Sequence, residues 1–207
     1  MYITFQTSSP KLTIYAGLFL ILLTLNLNGQ TDQKKNWEHT KVVYTSSDKK
    51  KTIITNSLPK GGGIVNHNGK EYNNFIFWTN VHNAEFTPLD IKIKFPTSIP
   101  FESKDSHAKV VIPKSPMTID KLQEFDYGLT DISSLLNNES DELKSLNFRI
   151  SPFKNNLFYS VVFIHKTKWP VRGEYILKDK KLFYKITAGT DVVVVPCGGI
   201  DFKLNKL

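Results

Sequence analysis

The sequence predicts an all-β chain folded as an antiparallel β-sandwich, Ig-like or jelly-roll-like, with a short helical crossover around residues 117–147. Short runs of β-branched and aromatic residues, each bounded by Pro, Gly, Asn or Asp, recur at the spacing of sandwich strands. Within those runs apolar and polar residues alternate with the period of a half-buried strand. Asn68-Gly69 stands between two of them as a hairpin turn, because both turn positions require positive φ.

The elements follow in chain order. Met1 to Lys11 is polar with a single lysine, Leu12 to Leu25 is almost unbroken apolar sequence, and Asn26 to Gln30 is short and polar. That order is expected of an export signal, whose apolar stretch is too short for an ordinary membrane span. Residues 1–29 are read as the signal, with cleavage near Gly29 and Gln30. Leu27 stands where a small residue is usual, which leaves an uncleaved signal anchor as the alternative and the only membrane contact expected. Residues 30–40 form a polar lead, and residues 41–207 a single sandwich domain.

In that domain Lys41–Thr45, Thr52–Asn56, Phe75–Val81, Leu89–Phe95 and Ala108–Ile112 are the first expected strands. Folding about Asn68-Gly69 sets His67 opposite Lys70 and Val65 opposite Tyr72, with Gly61 to Gly63 as a bulge or flexible entry. In "LDIKIKF" Leu89, Ile91, Ile93 and Phe95 point inward while Asp90, Lys92 and Lys94 point outward. Between Pro116 and Ser151 the period changes, and Thr130 and Ser140 are candidate N-caps of short helical turns. Leu157–Ile164 is apolar on both sides and is expected to be central. Gly173–Lys178, Lys181–Thr187, Val192–Val195 and Ile200–Leu204 complete the set. In "KLFYKIT" Leu182, Tyr184 and Ile186 face inward and Lys181 and Lys185 outward. If this strand shares a sheet with "LDIKIKF", the solvent face of that sheet is basic.

Composition limits what such a fold could do. With 207 residues, 40% of them hydrophobic and fourteen Phe, eight Tyr and three Trp, the chain can bury a substantial core. Its net charge of +8 falls by one to +7 if the signal and its single lysine are removed. Lysines cluster in "KKNWEHTK" and "SDKKK", runs that meet anionic lipid, lipopolysaccharide, nucleic acid or acidic polymers, or more commonly act as solubilising tails and loops. Cys197 is the sole cysteine, so no intrachain disulfide can form. The abundance of Lys, Asn and Ile and the "NGQ" junction give a chain that resembles secreted or periplasmic Gram-negative β-rich proteins of unknown function. The likeness is one of style, with no named family and no motif that implies an activity.

"FIFWTNVHNAE" is the most informative segment for a site. Ile76, Trp78, Asn80 and His82 share one face, graded from apolar to polar, and Glu85 follows at the strand end. Trp78, Asn80, His82 and Glu85 are therefore the candidate ligand-binding residues, with the ring stacking on a sugar or amide and the polar groups giving direction. The plainer alternative, favoured because aromatics fill most β cores, is a core tryptophan with a strand-end histidine. His82 and Glu85 alone make a weak metal motif, and His39, His67, His82, His107 and His165 are scattered, with His107 in an apparent loop. Neither metal nor other cofactor is expected. Cys197 in "PCGG" follows a valine run and reads as buried and inert. A P-loop needs Ser or Thr after its GK pair, whereas Lys70 precedes Glu71. Nucleic acid is disfavoured by export and by the lack of an aromatic RNA-binding motif. The expected function is that of an exported, non-enzymatic binding or structural module whose partner is an envelope glycan or another exported protein. The alternative is a secreted hydrolase with a site near His82.

Overall fold

The computed structural model describes residues 37–101, 105–138 and 140–203, so the expected signal and the lead up to residue 36 lie outside them. In chain order the strands are β1 (Glu38–Thr45), β2 (Lys51–Ser57), β3 (Lys60–His67), β4 (Lys70–Asn83), β5 (Leu89–Lys94), β6 (Ile99–Pro100) and β7 (His107–Val111). A helical crossover follows, containing α1 (Ile132–Asn137) and short 3-10 turns at Ile119–Gln123, Phe125–Gly128 and Asp141–Lys144. The chain then returns through β8 (Ser145–Ile150), β9 (Asn155–His165), β10 (Val171–Lys178), β11 (Lys181–Ala188) and β12 (Asp191–Phe202). No helix among the described residues is long and apolar enough to cross a membrane.

The fold is all-β, with two antiparallel sheets of seven and five strands, as the alternation predicts. In the larger sheet the order is β1-β2-β4-β9-β7-β6, and β3 pairs with the first half of β4. Strand β4 runs for 14 residues because it serves two neighbours on one edge, β3 along Lys70–Ile76 and β2 along Thr79–Asn83. The smaller sheet has the order β10-β11-β12-β5-β8.

Local chemistry explains the register. Asn68 and Gly69 have φ of 51° and 73°, the pair of positive values the tight turn requires, and His67 pairs with Lys70 and Val65 with Tyr72 as expected. The register shifts between Gly61 and Ile64, which places the bulge at the glycine run.

The main core fills the space between the sheets. Leu89, Ile91, Ile93 and Phe95 enter it from β5 and its end, Leu182, Tyr184 and Ile186 from β11, and Phe75, Phe77 and Val81 from β4. A second apolar layer covers the other face of the larger sheet. There Ile76, Trp78, Tyr159, Val161 and Phe163 meet Tyr127, Leu129, Leu136 and Leu143 of the crossover. Strand β9 is thus buried on both faces and central, between β4 and β7, which is why its sequence lacks alternation. Lys60 fastens the crossover: its ammonium lies 4.2 Å from the Tyr127 ring centroid and 4.4 Å from that of Trp37, and it donates to the carbonyls of Leu122 at 3.1 Å and Glu124 at 2.5 Å.

Polar groups tie the sheets together where β2 approaches β10. The buried Asn56 amide donates to the Tyr175 carbonyl at 3.2 Å and accepts the Tyr175 N–H at 2.9 Å, so a side chain stands in for a strand partner. At the nearby hairpin tips Ser47 donates from its N–H and hydroxyl to Asp179 at 3.1 and 3.0 Å, and Lys180 pairs with Asp48 at 3.2 Å.

Several expectations need correction. Val192–Val195 and the segment from Ile200 are not separate strands: β12 runs unbroken from Asp191 to Phe202, and Leu204 lies outside the described residues. Leu182 pairs with Gly198 and Phe183 with Pro196, leaving Cys197 as the extra residue of a bulge. The expected crossover is too long at its end, because Ser145–Ile150 is β8, held by pairing with β5 that local sequence does not encode. The residue preceding α1 is Asp131, at φ 54°, rather than Thr130. His107 begins β7 rather than lying in a loop.

One core contact yields a paired prediction. A Cβ on Gly173 would stand 2.3 Å from the Tyr184 hydroxyl, and that hydroxyl is buried without a hydrogen-bond partner among the described residues. Gly173→Ala should therefore cost about 2 kcal/mol by overpacking, whereas Tyr184→Phe should be neutral or stabilising by about 1 kcal/mol. In urea titrations the double variant should recover most of the Gly173→Ala loss. Simple additivity of the two changes would show that the hydroxyl is not the obstruction.

Candidate binding face

Trp78, Asn80 and His82 do share one face of β4, and exposure rises along it as the sequence suggests. The four candidate residues follow one another along β4 and just past its end. Trp78 is only 4% exposed and sits in the layer beneath the crossover, where its ring packs rather than offering a stacking surface. The Asn80 Oδ1 is buried without a partner among the described residues. His82 is half-buried between Ile53 and Asn155 in the sheet. Glu85 caps a neighbouring strand by accepting the Lys51 N–H at 2.7 Å.

The structure gathers other polar groups that sequence distance had hidden. Tyr72, His165 and His107 pair in one row across β4, β9 and β7. The Tyr72 hydroxyl lies 2.8 Å from His107 Nε2, the His107 and His165 ring centroids are 5.4 Å apart, and His67 lies edge-on to Tyr72 at 6.4 Å. Three of the histidines expected to be scattered are therefore neighbours. Burial foremost, then the Lys70, His165 and Lys109 charges, lower the His107 pKa. No group of three or more metal-ligating side chains occurs among the described residues. Cys197 is buried, and that burial pushes its thiol up to about 12, which leaves it protonated and unreactive at neutral pH.

The outer face of the smaller sheet is the most developed surface. Strands β5 and β11 share this sheet, as the basic-face expectation required. Alternation turns Lys92, Lys94, Arg149, Arg172, Lys178, Lys181 and Lys185 outward, against Asp90, Glu174 and Asp201. Each of those acids is engaged. Asp90 accepts two hydrogen bonds from Arg149, at 2.6 and 2.9 Å, and this guanidinium foremost holds its carboxyl below the usual value, with Lys203 and Lys92 adding to the effect. Glu174 meets His39 at 3.0 Å and Lys185 at 3.8 Å, and Asp201 meets Lys203 at 3.1 Å. Neither Lys92 nor Lys94 makes an ion pair among the described residues, and Lys92 acts on Asp90 only through its charge.

Two depressions adjoin over β5. One, of about 330 Å³, is lined by Lys92, Ile93, Lys94, Ser145, Asn147 and Gly198. The other, of about 260 Å³, is lined by Asp90, Lys92, Gly199, Ile200, Asp201 and Lys203. They share Lys92 and open where Gly198 and Gly199 put bare backbone on the sheet surface. Gly198 has φ +140°, and a Cβ there would stand 1.9 Å from the Lys92 carbonyl oxygen. A larger cleft, of about 730 Å³, lies along the crossover, but the cation on its rim, Lys114, is paired with Glu142.

Comparison of the chain with family models, with curated proteins and with solved structures returns no match, so the chemistry of this face is the basis for its reading. It offers ammonium groups, amide and hydroxyl side chains, and exposed backbone along a strand, a combination suited to an extended anionic ligand. The lysines and the alternation are legible in the sequence, whereas the place of Gly198 and Gly199 in the floor of the groove follows from the pairing of β12 with β5.

Proposed function

We propose that the chain is an exported, non-enzymatic binding module that engages an anionic glycan of the cell envelope through the outer face of its five-stranded sheet. The observation that carries this reading is the pair of adjoining depressions over β5, sharing Lys92 and floored by Gly198 and Gly199, with Lys92 and Lys94 unpaired by carboxylates among the described residues. Such a surface holds its ligand by many weak, screened contacts, so affinity should fall steeply with salt.

Binding to dextran sulfate and to purified lipopolysaccharide tests it. Exposed charge pairs are each worth about 0.2–1 kcal/mol, so the Lys92→Glu, Lys94→Glu double variant should bind about tenfold more weakly or worse. Lys114→Glu, away from the face, should bind like the parent. Equal affinity of the double variant and the parent would remove this face from the account.

A further inference from the structure

The loops at one end of the sandwich are built as a single rigid tip. They are Ala84 to Pro88, between β4 and β5, and Ser151 to Lys154, between β8 and β9. The fully buried Asn83 amide donates to the carbonyls of Thr87 at 2.8 Å, Ile150 at 3.2 Å and Ser151 at 3.3 Å, while its oxygen accepts the Glu85 N–H at 3.1 Å. One side chain thereby fastens both loops.

What they present is apolar. Phe86 is 84% exposed and Phe153 48%, and their rings meet edge to face with centroids 4.7 Å apart. Phe153 has φ +57°, a backbone region that a bulky residue enters only under strain. Two phenylalanines held together in water, one of them on a strained backbone, contribute little to a core and suit an external apolar medium.

Four lysines are joined to these loops, Lys50 through its ammonium and Lys51, Lys154 and Lys203 through their backbones. Lys50 donates to the Thr87 hydroxyl at 3.3 Å, the Lys203 N–H bonds Pro88 at 3.1 Å, the Lys154 carbonyl accepts the Asn83 N–H at 2.9 Å, and Lys51 donates its N–H to Glu85. Of the acids nearby, Asp201 is paired with Lys203 and Asp48 with Lys180, while Glu85 accepts only the backbone N–H of Lys51 and keeps its charge. An exposed aromatic pair with lysines on the adjoining chain matches the two layers of an anionic lipid surface, with rings at the acyl boundary and ammonium groups at the phosphates.

We propose that Phe86 and Phe153 form a lipid-contact site through which this end of the sandwich enters the interface of an anionic bilayer. This contact is independent of the N-terminal apolar segment, and it adjoins the glycan face at Lys203 without using Lys92 or Lys94.

The test reads the tip itself in the full chain. With a Phe86→Trp variant, vesicles of phosphatidylcholine mixed with phosphatidylglycerol should shift the added emission to the blue, and bromine-labelled acyl chains should quench it. Vesicles of phosphatidylcholine alone should do so much less. Adding Lys50→Glu and Lys154→Glu should raise the lipid concentration needed by about tenfold or more, at roughly 1 kcal/mol per lysine. Phe153→Gly relieves the backbone, so it should melt no lower than its parent and yet lose about tenfold in quenching by lipid. Lys92→Glu with Lys94→Glu should leave the signal unchanged, which separates this site from the glycan face. A tryptophan at 86 that stays equally open to aqueous iodide with and without vesicles would overturn the proposal, as would unaltered quenching in the Phe153→Gly background.

Discussion

Asn56→Ala should lower the unfolding free energy by about 3–5 kcal/mol, read as a shift of the urea midpoint with little change in slope. Asn56 is 2% exposed, and its amide makes four hydrogen bonds: to Thr40 at 3.1 Å, from Thr79 at 3.2 Å, and to and from the Tyr175 backbone at 3.2 and 2.9 Å. Truncation strands the Tyr175 N–H and carbonyl between β2 and β10, where no strand pairing replaces them. Each buried group left unpaired costs about 1–3 kcal/mol. The neighbouring Thr40→Ala, which removes one bond in the half-buried rim, should cost about 1 kcal/mol. A loss below about 1 kcal/mol for Asn56→Ala would mean that the Asn56 bridge adds nothing to the joining of the sheets.

Gly198→Ala should be at least as damaging, with a loss of about 3 kcal/mol or more, or failure to fold. Two effects combine there: the φ of +140° and a Cβ placed 1.9 Å from the Lys92 carbonyl oxygen, a backbone atom that cannot give way without breaking the β12–β5 ladder. Gly69→Ala separates the two effects, because Gly69 has φ +73° but nothing within 4 Å of its Cβ position. That variant should cost only about 1 kcal/mol. Similar losses at the two sites, in parallel urea titrations, would show that strand contact at Gly198 contributes nothing beyond backbone conformation.

The difference between these positions marks what the sequence could disclose. Asn68-Gly69 announces its turn because the two residues carry the whole requirement in their own φ preferences. The inward Leu89, Ile91 and Ile93 are legible because period-two alternation is local. Gly198 is not legible in this way, because its requirement comes from Lys92, far away in sequence. Strand β8 was hidden for the same reason, since Ser145–Ile150 becomes a strand by pairing with β5.

Site residues divide along the same line. Trp78, Asn80 and His82 were correctly placed on one face, but only the crossover, packed on that face through Tyr127 and Leu129, determines that the tryptophan is covered. The Tyr72, His165 and His107 row depends on the register of three strands, and no local pattern in the sequence sets it. The Phe86 and Phe153 pair depends on Asn83 joining two loops that each pass from one sheet to the other. The basic face came nearest to being read in advance, because alternation gave the outward lysines and only the sharing of a sheet by β5 and β11 remained open.

The glycan-binding reading is tested most directly by mapping the contact residue by residue. In an isotope-labelled sample titrated with dextran sulfate at low salt, backbone amide resonances of Lys92, Lys94, Asn147, Gly198 and Gly199 should move together and saturably, and return as salt is added. Shifts confined to the row of Tyr72, His107 and His165, or to the crossover cleft, with the β5 and β12 resonances unmoved, would contradict it.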